Sequence, residues 1–462
     1  MTDRLKDGGG LQAGLGWLVL LAVLVSAVGL GGNRQAVWLP LAGVLGLALL
    51  LQSISDLRDP AAGRALGRLW PAALCYLGAL GWAGMQAGQA PFDAWAHPAW
   101  EVLGVTGSIS AAPEETWAGL VRLIAYGAAF WVAARAAQST VRANRMIDAV
   151  ALFGTLLAIY GLVAWATGQN VIVGEPAYPD FVTATYVNRN AYAMYAALGC
   201  MACVTAIAMR MPDPAEGLAL SVARREMLET MIRTAWPYTL GALLAGLAML
   251  LTGSRAGTFC GMLGVSIVVL SMVGRHLGRR TAFFVLLMLL AAPAFLAPIL
   301  IERIAGLDPM EDLRLEVYAM IISGLADRPW LGHGLGTFQD TFRAYLTGDA
   351  ASLEWDKAHS TYLENAWELG MPAAGALVLA VLVILAQIAA GLGKRRRMRP
   401  LLVLALAAGL ASGLHAGVDF SLQMPATAAL FAMILGIGWG VAGRPQMRRA
   451  NNASWDEEFE PD

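Results

Sequence analysis

The chain has 462 residues, of which 58% are hydrophobic and only 14% charged, with a formal net charge of −1. This composition excludes an ordinary soluble globular domain and points to an integral membrane protein. The apolar residues come in blocks near the ~20 needed to cross the hydrocarbon core, so spans are read by length rather than by amphipathic period.

Twelve spans are predicted, near 14–31, 36–53, 69–87, 116–137, 147–167, 191–209, 237–253, 256–274, 281–301, 372–393, 400–418 and 425–442. They make an all-α, polytopic fold and one membrane domain over 1–462. The first span runs straight into the second, and no cleavage site is expected there. Arg58, Arg64 and Arg68, then Arg142 and Arg145, then Arg275, Arg279 and Arg280, and above all "KRRRMR" at 394–399, share one side of this arrangement. Both termini join them, so that side is expected to be cytoplasmic. The opposite side carries acidic loops at 88–115 and 302–369, and the second of these, between spans 9 and 10, is the expected working surface. The acidic end at 450–462 reads as a disordered tail. Cys75, Cys200, Cys203 and Cys260 lie within predicted spans. Cys200-Met-Ala-Cys203 has redox or zinc spacing but no second ligand pair, so ordinary apolar packing is expected.

Candidate chemistry begins at the turn between the seventh and eighth spans, "LLTGSRAGTF". Arg255 stands there on the outer face against the positive-inside bias. It is either a snorkelling side chain or, with Ser254 and the first backbone amides of the next helix, an anion site at headgroup height. In the long loop Arg314 has Val317, Tyr318 and Ile321 at i+3, i+4 and i+7, which puts a guanidinium on an apolar stripe. Its partner is either Glu311 at i−3 or an anionic ligand. "GHGLG", Gly332 to Gly336, lacks the strand and helix context of a phosphate loop and reads as a turn. "AHSTYLENAWELG", Ala358 to Gly370, holds Thr361 and Glu364 at capping-box spacing. It predicts a short helix from near Tyr362 to Gly370, before Pro372 opens the next span. His359 then precedes a helix N-terminus, whose positive end favours a neutral imidazole with a free lone pair. That is the form a general base requires, although a lone loop histidine also serves as a surface or hydrogen-bonding residue.

"LTGSRAG", the Arg314 helix followed by "DRPWLGHGLGTF", and "AHSTYLENAWELG" resemble, in order, three blocks of the bacterial O-antigen ligase and polymerase superfamily. The resemblance extends to "TATYVNRNAYA" and "GLHAGVDFSLQMP" and covers about residues 180–425. Ser360 departs from it, because many members place Asn after the histidine.

The resemblance implies an inner-membrane glycosyltransferase of C-type architecture with its site on the periplasmic face. It would take a glycan from undecaprenyl diphosphate, without a nucleotide sugar, cofactor or required metal, and pass it to an acceptor hydroxyl. The acceptor is lipid A core for a ligase, or another glycan for an O-antigen or exopolysaccharide polymerase. Arg255 and Arg314 suit the charge that grows on a diphosphate leaving group, and His359 suits proton removal from the acceptor. By analogy Arg189, flanked by Asn188 and Asn190, adds to the phosphate site, and Ser254 and Tyr362 join the binding residues. His415 and Asp419, at i, i+4 spacing, are either substrate contacts or a structural pair. A flippase or transporter is the alternative from another class. It fits less well, because the polar residues concentrate on one face and not at midmembrane. No serine-histidine-acid set, metal-ligand cluster or nucleic-acid surface competes, and the expected partners are donor, acceptor and membrane lipid.

Overall fold

The computed structural model describes residues 9–169, 171–172, 175–176, 180–212, 220–276 and 309–444. In chain order its helices are α1 (Gly9–Val28), α2 (Gln35–Asp56), α3 (Pro60–Ala87), α4 (Ala99–Leu103), α5 (Pro113–Ala136), α6 (Thr140–Ala166), α7 (Arg189–Arg210) and α8 (Leu220–Thr230). They continue with α9 (Trp236–Leu251), α10 (Arg255–His276), α11 (Pro309–Gly324), α12 (Phe338–Phe342), α13 (Thr361–Leu369), α14 (Met371–Ala389), α15 (Arg399–His415) and α16 (Pro425–Ala442). Extended pairing is confined, among the described residues, to two-residue strands at Val171–Ile172 and Glu175–Pro176 and an isolated bridge between Gln89 and Ser108.

Ten of the described helical segments are long and apolar enough to cross a bilayer. The protein is therefore an all-helical, polytopic membrane protein. Of the twelve expected spans, 69–87 is helical within α3 but is not among those ten. The expected span at 281–301 and the tail at 450–462 lie outside the described residues.

α7 and α16 are the most enclosed spans, each with 89% of its apolar window buried, whereas α14 has 17% and lies at the rim. Between apolar helices in lipid, close backbone approach replaces the hydrophobic driving force. The sequence provides it with small residues. A Cβ at Gly436 or Gly440 of α16 would stand 2.2–2.3 Å from the carbonyl oxygens of Phe130 and Ala134 on α5. Gly154 of α6 and Gly199 of α7 meet in the same way. Cys200 and Cys203 are buried in α7, and their thiols contact the carbonyls of Ala242 and Ala151.

The two ends of α16 differ in chemistry. At its C-terminal end Arg68 stacks on Trp439, 3.7 Å from the ring centroid. Nearby, Arg444 donates to the Ala137 carbonyl and Arg135 pairs with Asp56 and Asp59. Its N-terminal end follows directly on the segment that holds Asp419. Some 18 residues of helix, about 27 Å at 1.5 Å per residue, separate the two ends.

Residues 309–369 fold as a cap of short helices around a small core. Val317 and Ile321, expected on the apolar stripe of α11, are fully buried there with Phe338, Phe342, Trp355, Ala358 and Trp367. "GHGLG" is a turn, as read from the sequence, with Gly332, Gly334 and Gly336 all at positive φ. It is tied to the end of α13, where the His333 and Gly334 amides donate to the Trp367 and Glu368 carbonyls at 3.0 and 2.9 Å. The His333 ring stacks on Trp367 and meets His97 at 3.0 Å, which joins the cap to the loop before α5.

Candidate functional site

The C-terminal end of the cap, the N-terminus of α7 and the α15–α16 connection converge on His359. The helix after it begins at Thr361, with Ser360 as N-cap accepting from the Leu363 amide at 3.4 Å. This corrects the expected start near Tyr362 capped by Thr361. Ser360 has the extended backbone a cap requires (φ −151°, ψ 112°), and its hydroxyl reaches the first turn. Asn also caps helices well, so the departure at Ser360 keeps a capping residue at this position. Glu364 does not close the box on the cap residue. Its carboxylate reaches further back, accepting from the Ala358 amide at 2.7 Å and from Lys357 Nζ at 3.2 Å.

His359 itself has φ +50°, a left-handed conformation rarely adopted by a residue with a side chain. Such strain persists only where the surroundings over-determine it. Here the Ala358 amide is held by Glu364, the His359 carbonyl accepts from the Tyr318 hydroxyl at 2.5 Å, and the Thr361 amide donates to the Ala416 carbonyl at 2.8 Å. Burial pushes the Tyr318 phenol up to about 12, so it keeps the proton it donates.

His359 is 6% exposed, and its ring lies edge-on between Trp355 and Phe420. Its Nδ1 is 3.9 Å from Asp419 Oδ2, an ion-pair distance rather than a hydrogen bond. Asp419 is fixed by the Asn190 side-chain amide, which donates to Oδ2 at 2.8 Å, and by the Phe420 backbone amide, which donates to Oδ1 at 2.8 Å. Burial opposes the charge on Asp419. The contact with His359 and the charges of His415, His359 and Arg314 outweigh it and hold the carboxyl below its ordinary range. A buried carboxylate facing a histidine orients the ring and stabilises it when it takes a proton.

The other candidates divide. Arg314 joins the centre, because its charge acts on Asp419, His415 and Tyr318, and its buried Nε has no hydrogen-bond partner among the described residues. Arg314 makes no ion pair among the described residues, and the Glu311 side chain lies outside them. Arg255 is exposed at the start of α10, without a hydrogen bond or ion pair among the described residues. Ser254 is buried, and its hydroxyl accepts from the Gly257 amide at 3.1 Å. Arg189 is 4% exposed and its guanidinium lies 4.3 Å over Phe181. A Cβ at Gly253 would come within 3.3 Å of that guanidinium, so α7 and the "TGSRAG" turn meet at Arg189.

Three candidates, Asn188, Tyr362 and His415, have structural tasks. Asn188 caps α7, accepting from the Asn190 and Ala191 amides. Tyr362 donates to the Gly413 carbonyl at 2.7 Å and braces α13 on α15. His415 and Asp419 are linked through the backbone, Asp419 amide to His415 carbonyl at 2.9 Å, while His415 Nδ1 pairs with Ser421 Oγ at 2.8 Å. A direct side-chain hydrogen bond within the pair is not formed. The sequence reading assigned no role to the Tyr318 hydroxyl or to Lys357. Tyr318 shows there only as one position of an apolar stripe, and nothing local marks what its hydroxyl meets.

Residues 240–378 match the family model described as O-antigen ligase. That match supports the O-antigen ligase superfamily. The matched segment holds Ser254, Arg255, Arg314, His359 and Tyr362, whereas Arg189, Asn190, His415 and Asp419 lie outside it. Among curated proteins none matches the chain. The family supports a ligase or polymerase type of function and suggests a glycosyltransferase-like enzyme.

Proposed function

We propose that the protein transfers a glycan from undecaprenyl diphosphate to an acceptor hydroxyl at the periplasmic face of the inner membrane, as an O-antigen ligase acting on lipid A core. The observation that carries this reading is the strained His359 facing Asp419, with the charge of Arg314 acting on that carboxylate and its Nε without a partner among the described residues. Nδ1 of His359 faces Asp419, which leaves Nε2 to take the acceptor proton. As the proton leaves, the acceptor oxygen forms its bond to the anomeric carbon, and the bond from that carbon to the phosphate oxygen breaks. Diphosphate departs with the electron pair, and Arg314 and Arg255 meet its charge with planar forks that suit phosphate oxygens. No proton need be delivered to so good a leaving group. Asp419 stabilises the imidazolium that forms.

The test is transfer by purified protein in detergent, given a lipid-linked glycan and a lipid A core acceptor. His359→Gln keeps a polar group of similar reach but accepts no proton at neutral pH, and should lose about 10²–10⁴-fold in rate, the usual worth of a positioned base. Full activity of this variant would reject the base assignment. A polymerase would share the donor chemistry and differ in acceptor. Deletion should leave long polymer on the lipid carrier, whereas a single-repeat product would favour polymerase. A flippase would show turnover only across a closed membrane.

A further inference from the structure

We propose that Tyr318 and Glu364 are positioning residues that act through the backbone of His359, clamping it in its left-handed conformation so that Nδ1 meets Asp419 and Nε2 is aimed at the acceptor. This rests on His359 being the base. The clamp grips the histidine from both sides. Glu364 is 1% exposed and takes the amide before it at 2.7 Å, while the Tyr318 hydroxyl, from a separate helix 41 residues earlier, takes its carbonyl at 2.5 Å. Neither group makes a hydrogen bond to the imidazole among the described residues. Left-handed backbone is strained for a residue with a Cβ, so a histidine released from the clamp relaxes toward ordinary φ and swings its ring away from Asp419. The same helix that carries Arg314 to the site also carries Tyr318 one turn later. Displacement of α11 would therefore loosen the base and the phosphate-facing guanidinium together.

A displacement of about 1 Å in a reacting group costs on the order of 10²-fold, so Tyr318→Phe should lower kcat by about 10- to 100-fold. Donor affinity should stay within about twofold. Thermal stability should drop modestly, because the buried His359 carbonyl loses its donor, while the protein stays folded under assay conditions. Glu364→Ala should likewise lower kcat. Glu364→Gln, which keeps an acceptor for the Ala358 amide, should recover most of that loss. In a His359→Gln background the Tyr318→Phe change should cost less than about twofold, because its effect passes through the histidine. Wild-type kcat in Tyr318→Phe overturns the clamp. So does a loss that adds fully in the His359→Gln background or that falls in step with folded protein and donor binding. His359→Gln alone separates the two readings. Its full activity rejects the base, whereas an inactive His359→Gln beside a fully active Tyr318→Phe rejects the clamp and leaves the base standing.

Discussion

Asn190 and Asp419, 229 positions apart in the chain, are joined by a 2.8 Å hydrogen bond at the buried centre where α7 meets the α15–α16 connection. The amide donates to the same carboxylate oxygen that faces His359, so it sets where that charge stands. Asp419→Asn removes the charge and should lower kcat by about 10-fold or more, with donor affinity nearly spared. Asn190→Ala leaves the charge but frees it to move, and should have the smaller effect. Single-turnover transfer beside donor binding checks both, and an Asp419→Asn variant at wild-type rate would reject any electrostatic role for the carboxylate.

Arg314 and Arg255 differ in setting, and their variants should differ accordingly. Arg314→Lys replaces a fork with a point charge beside buried groups and should rescue Arg314→Ala poorly. Arg255 is exposed at the start of α10, so Arg255→Ala should weaken donor binding without changing thermal stability. Equal donor turnover by Arg255→Ala and wild type would remove that arginine from the phosphate site.

Glu368 provides a pH prediction. Burial, and then the neighbouring Glu364, push its carboxyl up to about 7, against the pull of Lys357 and of the Gly336 and Phe338 amides. Between its ordinary value of 4.5 and about 7 the folded chain holds a proton that the unfolded chain has released. This site's contribution to stability therefore falls as pH rises through that window and levels off above it. Glu368→Gln should melt higher than wild type at pH 8, and the advantage should shrink toward pH 4.5. Parallel melting curves at all pH values would show that the carboxyl titrates normally.

Gly332 has φ +68°, and a Cβ there would lie 2.3 Å from the Glu368 carbonyl oxygen and 2.5 Å from the Gly370 amide nitrogen, both backbone atoms. Gly332→Ala should cost at least about 1–2 kcal/mol from the conformation alone, with the clash in addition. Because α13 follows His359, the loss should appear in melting temperature and in activity together. Wild-type stability in the Gly332→Ala variant would mean that the turn relaxes without disturbing α13.

The separation of the two ends of α16 leads to a topology prediction. Alkaline phosphatase fused within 309–369 should be active, and a fusion at 396, beside the basic cluster, should be inactive. The reverse pattern would place the His359 face in the cytoplasm and end the periplasmic reading.

Span positions are legible in the sequence because the cost of leaving apolar length or backbone polarity unmatched to the bilayer is local and additive along the chain. The stripe of Val317 and Ile321 is legible for a similar reason, since helical period alone decides which face is buried. The start of α13 is legible to within one residue. Ser360 and Thr361 are both competent caps, and only the extended backbone at Ser360 chooses between them. The left-handed φ of His359 has no local signal, because no glycine marks it and its cause lies in Tyr318 and Glu364. The Asn190–Asp419 bond likewise joins segments whose separate sequences are compatible with many pairings. His415 shows the limit of spacing arguments. Its i, i+4 relation to Asp419 is real in the backbone, but the chain bends after α15 and turns the ring to Ser421. Sequence thus determined which polar residues stand between the apolar spans. Packing of α7, α11 and the α15–α16 connection decided which of them meet, because side-chain contact depends on the crossing of helices, and that is a property of the whole bundle.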